Sequence, residues 1–180
     1  TYAGEKDPHI WFDLSLWQQI IEPIHQTLGA QMPEGKTYFA QNVVEYEEEL
    51  KALNSWAKEK MSAIPREQRV LITAHDAFNY FGRAYDLEVM GLQGISTESE
   101  YGLRDVKRLS DIIIERKIKA IFVESSVPKK FILSLQEGVA ARGFKVSIGG
   151  ELFSDAMGEL GTEEGTFLGM FKHNIETIHK

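Results

Sequence analysis

Three side chains of this sequence have the chemistry to hold a divalent metal ion, namely His9, His75 and Asp155. Two imidazoles and a carboxylate suit a first-row divalent metal, since neutral imidazole nitrogen favours Zn²⁺ and Mn²⁺ is also tolerated. The three residues lie far apart in the chain and form no compact motif such as His-Glu-x-x-His. Spacing alone therefore leaves a second interpretation open, in which Asp155 caps a helix and His9 packs on Trp11.

Two of these candidates follow predicted strands, and so does a further carboxylate, Glu124. His75 and Glu124 each come just after a short apolar, β-branched run, and Asp155 lies in a glycine-containing loop after the last predicted strand. In open α/β sheets, ligands bind where the carboxyl ends of the strands meet. We therefore expect His75, Glu124 and Asp155 to lie at one edge of one sheet. His9 lies on a separate turn, directly after Pro8.

The chain after residue 65 alternates between strand and helix patterns, which predicts an α/β fold. This alternation implies a parallel sheet with right-handed connections, here a parallel four-stranded sheet flanked by helices. The predicted strands occupy residues 70–72, 87–90, 120–123 and 145–148. The predicted helices occupy residues 77–85, 103–117, 129–142 and 167–180, and turn-rich stretches are predicted at 91–100 and 149–166.

Before this part of the chain, a single long helix is predicted over residues 36–64, ended by Pro65. Its apolar residues follow a spacing of four and three that forms a narrow seam on one face, made by Phe39, Val43, Tyr46, Leu50 and Leu53. A coiled-coil strand is the alternative, but the seam lasts only a few heptads and α/β units follow, so we favour a strut lying across two lobes. Upstream, a helical stripe over residues 11–24 is expected to break near Glu22 because of Pro23.

Composition narrows the function classes. The 180 residues carry a net charge of −7, which argues against a nucleic-acid partner because phosphate binding needs a basic face. The sequence has no cysteine, which excludes disulfides, thiolate metal ligands and cysteine nucleophiles. No apolar run approaches the roughly 20 residues that span a bilayer, and no signal peptide is recognisable. Because the chain begins at Thr1 rather than Met, we expect a fragment or a processed product.

Five motifs spread over nearly the whole chain resemble those of one protein family. They are Asp7-Pro-His-Ile-Trp-Phe-Asp13, Thr73-Ala-His-Asp-Ala-Phe-Asn-Tyr-Phe81, Gly91-Leu-Gln-Gly-Ile-Ser96, Phe122-Val-Glu-Ser-Ser126 and Gly149-Gly-Glu-Leu-Phe-Ser-Asp155. In this order they are similar to TroA-type zinc/manganese-binding receptors, the solute-binding proteins of metal ABC transporters. The chain resembles the C-terminal two-thirds of such a receptor.

The resemblance implies two α/β lobes bridged by one long rigid helix, with the metal between the lobes. Residues 1–35 would be the end of the N-terminal lobe, residues 36–64 the bridging helix and residues 65–180 the C-terminal α/β metal-binding lobe. Much of the N-terminal lobe would be missing, which would expose Trp11, Trp17 and the seam of the long helix.

The resemblance also implies a ligand set. His9 matches the histidine of the family's Asp-Pro-His-x-Trp motif, His75 matches a position that is His or Glu in the family, and Asp155 matches the aspartate of the last loop. The fourth ligand would be a histidine upstream of Thr1. Glu124 is not a family ligand; we interpret it as an acceptor for an imidazole N–H, with a loop carboxylate bonded to backbone as the alternative. No function is assigned to His25, His173 and His179.

By this resemblance the protein is expected to capture Zn²⁺ and/or Mn²⁺ outside the cytoplasm and to deliver the ion to an ABC permease. It would lie in the periplasm or on the outer face of the cytoplasmic membrane, lipid-anchored or soluble, and would not be an enzyme. One alternative is a surface adhesin or host-protein-binding lipoprotein of the same family. Another is an enzyme with a two-His-one-carboxylate site, for which the sequence offers no obvious base beyond Glu124 and Asp76.

The nitrogen-rich ligand set favours Zn²⁺ thermodynamically, although Mn²⁺ could be delivered where it is the available ion. We expect this chain alone to bind Zn²⁺ weakly because one ligand would be missing. Since imidazole must be deprotonated to bind, the affinity is expected to fall as the pH drops through the ordinary imidazole range near 6.5.

Overall fold

The computed structural model describes residues 6–95 and 102–180. The helices and strands in chain order are α1 (Leu14–Trp17), α2 (Ile21–Gln31), α3 (Lys36–Ser62), β1 (Val70–His75), α4 (Asn79–Tyr85), β2 (Glu88–Gln93), α5 (Leu103–Glu115), β3 (Ala120–Glu124), α6 (Lys130–Ala140), β4 (Ser147–Leu152) and α7 (Phe167–His179). The alternation of strands and helices confirms the predicted α/β class. The motif at 91–96 and the turn-rich stretch at 91–100 extend outside the described residues.

The strands pair in parallel, β1 with β2 and β3 with β4. Within the described part of the chain they form two two-stranded sheets rather than the single four-stranded sheet that the sequence predicts. Strands β1 and β3 lie side by side. At their carboxyl ends, however, the His75 N–H donates to Oε1 of the Glu124 side chain, 2.9 Å away, instead of to a backbone carbonyl. A carboxylate therefore takes the place of a ladder hydrogen bond next to the candidate site.

Strand β4 reaches further than its prediction of 145–148, because a Gly-Gly pair that resembles a loop is a bulge inside the strand. The pairing with β3 shifts between Ile121 and Phe122, and a Cβ at Gly149 would lie only 2.6 Å from the Phe122 ring. Gly150 has a φ of +153°, which favours glycine. The strand consequently runs on to Leu152, which brings Asp155 close to its carboxyl end.

Strand β2 also extends beyond the predicted 87–90, and the Asp76 side chain contacts it. Oδ1 of Asp76 accepts the Gly91 N–H at 2.7 Å, which joins the turn after β1 to the middle of β2. Helix α4 begins only at Asn79 and has no side-chain cap at its first residue. A glycine at 91 is needed because a Cβ there would meet Oδ1 of Asp76 at 2.5 Å.

Helix α3 runs without a break, as the sequence predicts, and ends two residues before the predicted boundary. Its second half is packed, with Leu50, Ala57 and Met61 buried. Its first half is largely exposed, and Tyr38 and Val44 keep 65% and 57% of their surface accessible. Phe39, Val43 and Tyr46 of the predicted seam are half-buried rather than exposed, and Val43 and Tyr46 pack against the core. The first half of the helix therefore contributes less to the core than the second half.

The segment before α3 breaks at the 3-10 turn Gln18–Ile20, slightly before the predicted position. Pro23 lies in the first turn of α2, where a missing N–H costs no hydrogen bond. Trp17 stacks on Phe167 with ring centroids 5.1 Å apart. Trp17 and Trp11 are both half-buried rather than exposed, so the expectation of exposed tryptophans is wrong.

Helices cover both sides of the strands. Helices α5 and α6 pack on one side through Leu109, Ile113, Ile132 and Leu135. Helices α3, α4 and α7 and the N-terminal segment pack on the other side through Phe12, Leu50, Phe81 and Phe171. Among the described residues, no helix is both long and apolar enough to cross a membrane.

Candidate metal site

His9, His75 and Asp155 converge at the carboxyl ends of the strands. One ligand atom from each lies within 4.8 Å of the others. Oδ1 of Asp155 is 3.3 Å from Nε2 of His9, and Oδ2 is 3.3 Å from Nε2 of His75. Both carboxylate oxygens of Asp155 thus face imidazole nitrogens. As predicted, His75, Glu124 and Asp155 lie together at the carboxyl ends of the strands, but these strands belong to two sheets rather than one. His9 joins them there.

The His75 ring is held by Glu124, which ends the neighbouring strand β3. Nδ1 of His75 lies 2.6 Å from Oε2 of Glu124, and both side chains are fully buried. Oε1 of the same carboxylate accepts the His75 N–H. Because one carboxylate fixes both the backbone and the ring of His75, Nε2 is left to face Asp155. From the sequence, Glu124 is expected to accept an imidazole N–H, and the contact with the His75 ring agrees with this expectation.

The His9 ring is held by Asp7 in the same way. Oδ1 of Asp7 accepts the His9 N–H at 3.0 Å and lies 2.7 Å from Nδ1 of the ring. Nδ2 of Asn79, at the start of α4, donates to Oδ2 of Asp7 at 3.2 Å. The segment that carries His9 is thereby tied to the element that follows His75. The sequence analysis did not identify these roles of Asp7 and Asn79, although both residues lie inside quoted motifs.

The loop that carries Asp155 is tied to two other elements through Ser154. Nε1 of Trp11 donates to the Ser154 carbonyl at 3.1 Å, which links the loop to the His9 segment. The hydroxyls of Ser126 and Ser154 lie 2.6 Å apart, which links the loop to the end of β3. These contacts are not predictable from the sequence, because only the tertiary fold brings together the motifs that contain Trp11, Ser126 and Ser154.

The charges of the site raise the pKa values of its two histidines and lower the pKa of Asp155. Burial lowers the pKa of His75, but contacts with the carboxylates of Asp155 and Glu124 outweigh it and raise the pKa to about 9. Burial likewise opposes protonation of His9, but Asp155 and Asp7 raise its pKa. Contacts with His75 and His9 lower the pKa of the Asp155 carboxyl. Three carboxylates thus make this a place where positive charge is favoured.

Within the described residues, neither ring nitrogen of His75 makes a hydrogen bond of ordinary geometry: Nδ1 faces Oε2 of Glu124 at 2.6 Å, and the buried Nε2 is turned toward the site. Its 3.3 Å separation from Oδ2 of Asp155 is short enough for a hydrogen bond, but the contact is poorly aligned. A buried polar atom without an aligned partner is uncommon and calls for an explanation. Coordination of a metal ion by this nitrogen is an explanation that fits the neighbouring nitrogen and carboxylate.

The other histidines stand apart from this cluster. His25 lies 3.5 Å from Glu22 on α2, and Nε2 of His173 lies 3.0 Å from the Glu151 carbonyl. Across residues 6–95 and 102–180, only His9, His75 and Asp155 form a group of three or more side chains close enough to hold one ion. The separation of metal candidates from the remaining histidines agrees with the sequence analysis.

Comparison with known proteins gives relatives of one kind. The chain is 51% identical over 181 residues to the manganese-binding lipoprotein MntA of Bacillus subtilis (strain 168), which covers 99% of this chain and 59% of that protein. It is 49% identical over 175 residues to the zinc-binding protein TroA of Treponema pallidum (strain Nichols), covering 97% of this chain and 57% of that protein. The chain thus spans less than two thirds of the length of these relatives.

The fold agrees with this relationship. The solved structure of the periplasmic zinc-binding protein TroA from Treponema pallidum superposes with a TM-score of 0.96 at 47% identity, covering 99% of this chain and 65% of that one. Residues 2–180 match the family described as zinc-uptake complex component A periplasmic (ZnuA). With a match over nearly its whole length and the same fold, the chain belongs to this ZnuA family.

Proposed function

We propose that the protein is the substrate-binding component of a metal ABC transporter and captures one Zn²⁺ or Mn²⁺ ion with His9, His75 and Asp155. The observation that carries this proposal is the convergence of two buried Nε2 atoms on one carboxylate. Imidazole and carboxylate together suit both metals. The names of the relatives support the choice, because one is a manganese-binding and one a zinc-binding protein.

A fourth ligand, a histidine upstream of Thr1, would complete the site in the full-length protein. Three protein ligands leave a position that Zn²⁺ would fill with water or with a further side chain, since it prefers four ligands. Three imidazoles and one carboxylate would favour Zn²⁺ over Mn²⁺ at equal free concentrations. Delivery of Mn²⁺ would then depend on which ion is available.

We also propose that residues 1–35 are the end of an N-terminal lobe, residues 36–64 a bridging helix and residues 65–180 the C-terminal lobe. Exposed apolar side chains on α2, directly after it and on the first half of α3 support this division: Ile24, Leu28, Met32, Tyr38 and Val44. A surface of this kind is what a further part of the N-terminal lobe would cover.

The proposed role is binding and delivery rather than catalysis. The two carboxylates that could serve as a base are engaged elsewhere, Glu124 with His75 and Asp76 with the Gly91 N–H. The partners would be the divalent ion and the membrane permease of the transporter. The location would be the periplasm or the outer face of the cytoplasmic membrane, as the names of the relatives indicate for those proteins.

Calorimetric titration of Zn²⁺ and Mn²⁺ into the metal-free, full-length protein tests this function. We expect one ion per molecule, a large loss of affinity in His75→Ala, and an unchanged affinity in the control His25→Ala, which removes an imidazole on α2, outside the cluster. A full-length protein that binds neither ion, or an affinity that His75→Ala leaves intact, would refute the proposal. An assay for uptake of the ion by cells carrying the same variants would test delivery.

A further inference from the structure

We propose that Asn174 is a positioning residue that sets the metal affinity by holding the backbone just before Asp155. This inference rests on the proposed function of the site. Oδ1 of Asn174 accepts the Phe153 N–H at 2.9 Å, and Nδ2 of Asn174 donates to the Phe153 carbonyl at 2.7 Å. The residue two positions before Asp155 is therefore fixed on both of its polar backbone groups by one side chain.

Helix α7 is aligned with β4 by two further contacts, and this alignment brings Asn174 to Phe153. Thr177 packs against Gly150, where an added Cβ would lie 2.5 Å from Cγ2 of the threonine. His173 places Nε2 3.0 Å from the Glu151 carbonyl. Helix and strand run in opposite directions, so that the position one turn before Thr177 faces the chain beyond the end of β4.

An amide is the side chain that this place requires. Phe153 lies just past the last paired residue of β4. Its N–H needs an acceptor and its carbonyl needs a donor in place of a neighbouring strand. A buried asparagine offers both, a carboxylate only accepts, and a leucine offers neither. Asn174 is 1% exposed and lies among the apolar residues of the buried face of α7. In the sequence, a polar residue within that apolar stripe is the signal that could have indicated a structural role for Asn174.

Only one residue, Ser154, separates Phe153 from the proposed metal ligand Asp155. Ser154 is tied by Trp11 and Ser126, and Asp155 follows it with its carboxylate 3.3 Å from two imidazoles. Metal–oxygen bonds of about 2.0–2.2 Å leave little tolerance for a displaced carboxylate, and a site loosened by about 1 Å loses function. Loss of the Asn174 amide would release the loop on the α7 side and displace Asp155.

The test is a set of variants of the natural full-length protein, with Zn²⁺ and Co²⁺ as probes. Asn174→Leu is expected to lower Zn²⁺ affinity about tenfold or more, in the range known for residues that orient metal ligands. In an Asp155→Ala background the same change is expected to alter the affinity less than about twofold, because the ligand that Asn174 positions is already gone. The visible spectrum of bound Co²⁺ in Asn174→Leu should shift toward that of Asp155→Ala.

Asn54→Leu is the control, since it also deletes an asparagine, here half-buried, that is hydrogen-bonded to a buried residue. Its Oδ1 accepts from the Tyr85 hydroxyl at 3.0 Å, away from the Asp155 loop. This variant should keep the affinity and the Co²⁺ spectrum of the unchanged protein. If Asn174→Leu does not fold, Asn174→Asp, which keeps the size and the acceptor, replaces it with the same expectations.

The outcomes separate this inference from the proposed function. An unchanged protein that binds no metal would refute the proposed function. If the unchanged protein binds metal but the Asn174 variant keeps its affinity and spectrum, or loses the same affinity with and without Asp155, the positioning role is wrong.

Discussion

Each imidazole of the site is oriented by a carboxylate of its own. Asp7 lies 2.7 Å from Nδ1 of His9, and Glu124 lies 2.6 Å from Nδ1 of His75. Carboxylates placed behind metal-binding imidazoles fix the tautomer and raise the basicity of the ligand. Since both contacts use Nδ1, both rings turn Nε2 toward Asp155. The sequence could indicate the three ligand candidates through their motifs, but not the partners of Nδ1, which depend on how separate motifs meet.

Glu124→Gln should therefore weaken metal binding even though Glu124 is not itself a proposed ligand. The change keeps the shape of the side chain but removes the charge that supports His75. We expect Zn²⁺ affinity of the full-length protein to fall about ten- to hundredfold, the usual cost of losing such a partner, as measured by calorimetric titration. Glu164→Gln serves as the control, because Glu164 lies 3.8 Å from His173, outside the cluster. Equal affinities of the two variants would contradict the role of Glu124.

The raised pKa of His75 shifts the expected pH dependence of metal binding. From the sequence, metal affinity is expected to change in the ordinary imidazole range near pH 6.5. In the structure, the carboxylates of Asp155 and Glu124 raise the pKa of His75 to about 9. Below that pH the ring carries a proton that a metal ion must displace. Zn²⁺ affinity should thus rise with pH from 6.5 to about 9, by about tenfold per pH unit for each proton released. Titrations at several pH values check this, and an affinity that levels off near 6.5 would contradict it.

At the scale of the elements, periodicity predicts the interiors of helices and strands well and their ends less well. The long helix and the four strands lie where apolar spacing places them. The glycines at 149 and 150 look like the start of a loop, yet they allow close contact with Phe122 and Thr177 within β4. The separation into two strand pairs was equally hidden, and so was the bond from the His75 N–H to the Glu124 side chain at the end of β1.

The unequal packing of α3 predicts an unequal response to mutation. Leu50 is 1% exposed in the packed half of the helix, whereas Val44 is 57% exposed in the other half. Leu50→Ala should lower the free energy of unfolding by about 2–5 kcal/mol through lost burial and a residual cavity. Val44→Ala should change it by less than about 0.5 kcal/mol, as is usual on the surface. Urea unfolding of both variants compares them, and similar losses would contradict the difference in burial between these two positions.

At the scale of the whole molecule, the site joins segments from three distant parts of the chain. His9 reaches the others through Asp7 and Asn79, and the Asp155 loop reaches the His9 segment through Trp11. A site of this kind depends on the elements that hold the segments in place. Because the ligands come from distant segments, their spacing in the sequence only weakly indicated a metal site. The five motifs distributed over the chain indicated it strongly.

The proposed fourth ligand leads to a prediction about chain length. The 180-residue chain alone should bind Zn²⁺ much more weakly than the full-length protein, because one position of the metal would be left to water. Parallel titrations of the two proteins measure the difference. Equal affinities would show that the fourth ligand is not needed.

The most direct test of the central claim is an anomalous difference map from crystals of the full-length protein grown with Zn²⁺ or Mn²⁺. The account predicts one strong peak among Nε2 of His9, Nε2 of His75 and the carboxylate of Asp155, at metal–ligand distances of about 2.0–2.2 Å for Zn²⁺. A peak bound instead by His173 and Glu164, or no peak among the three proposed ligands in metal-loaded crystals, would contradict it.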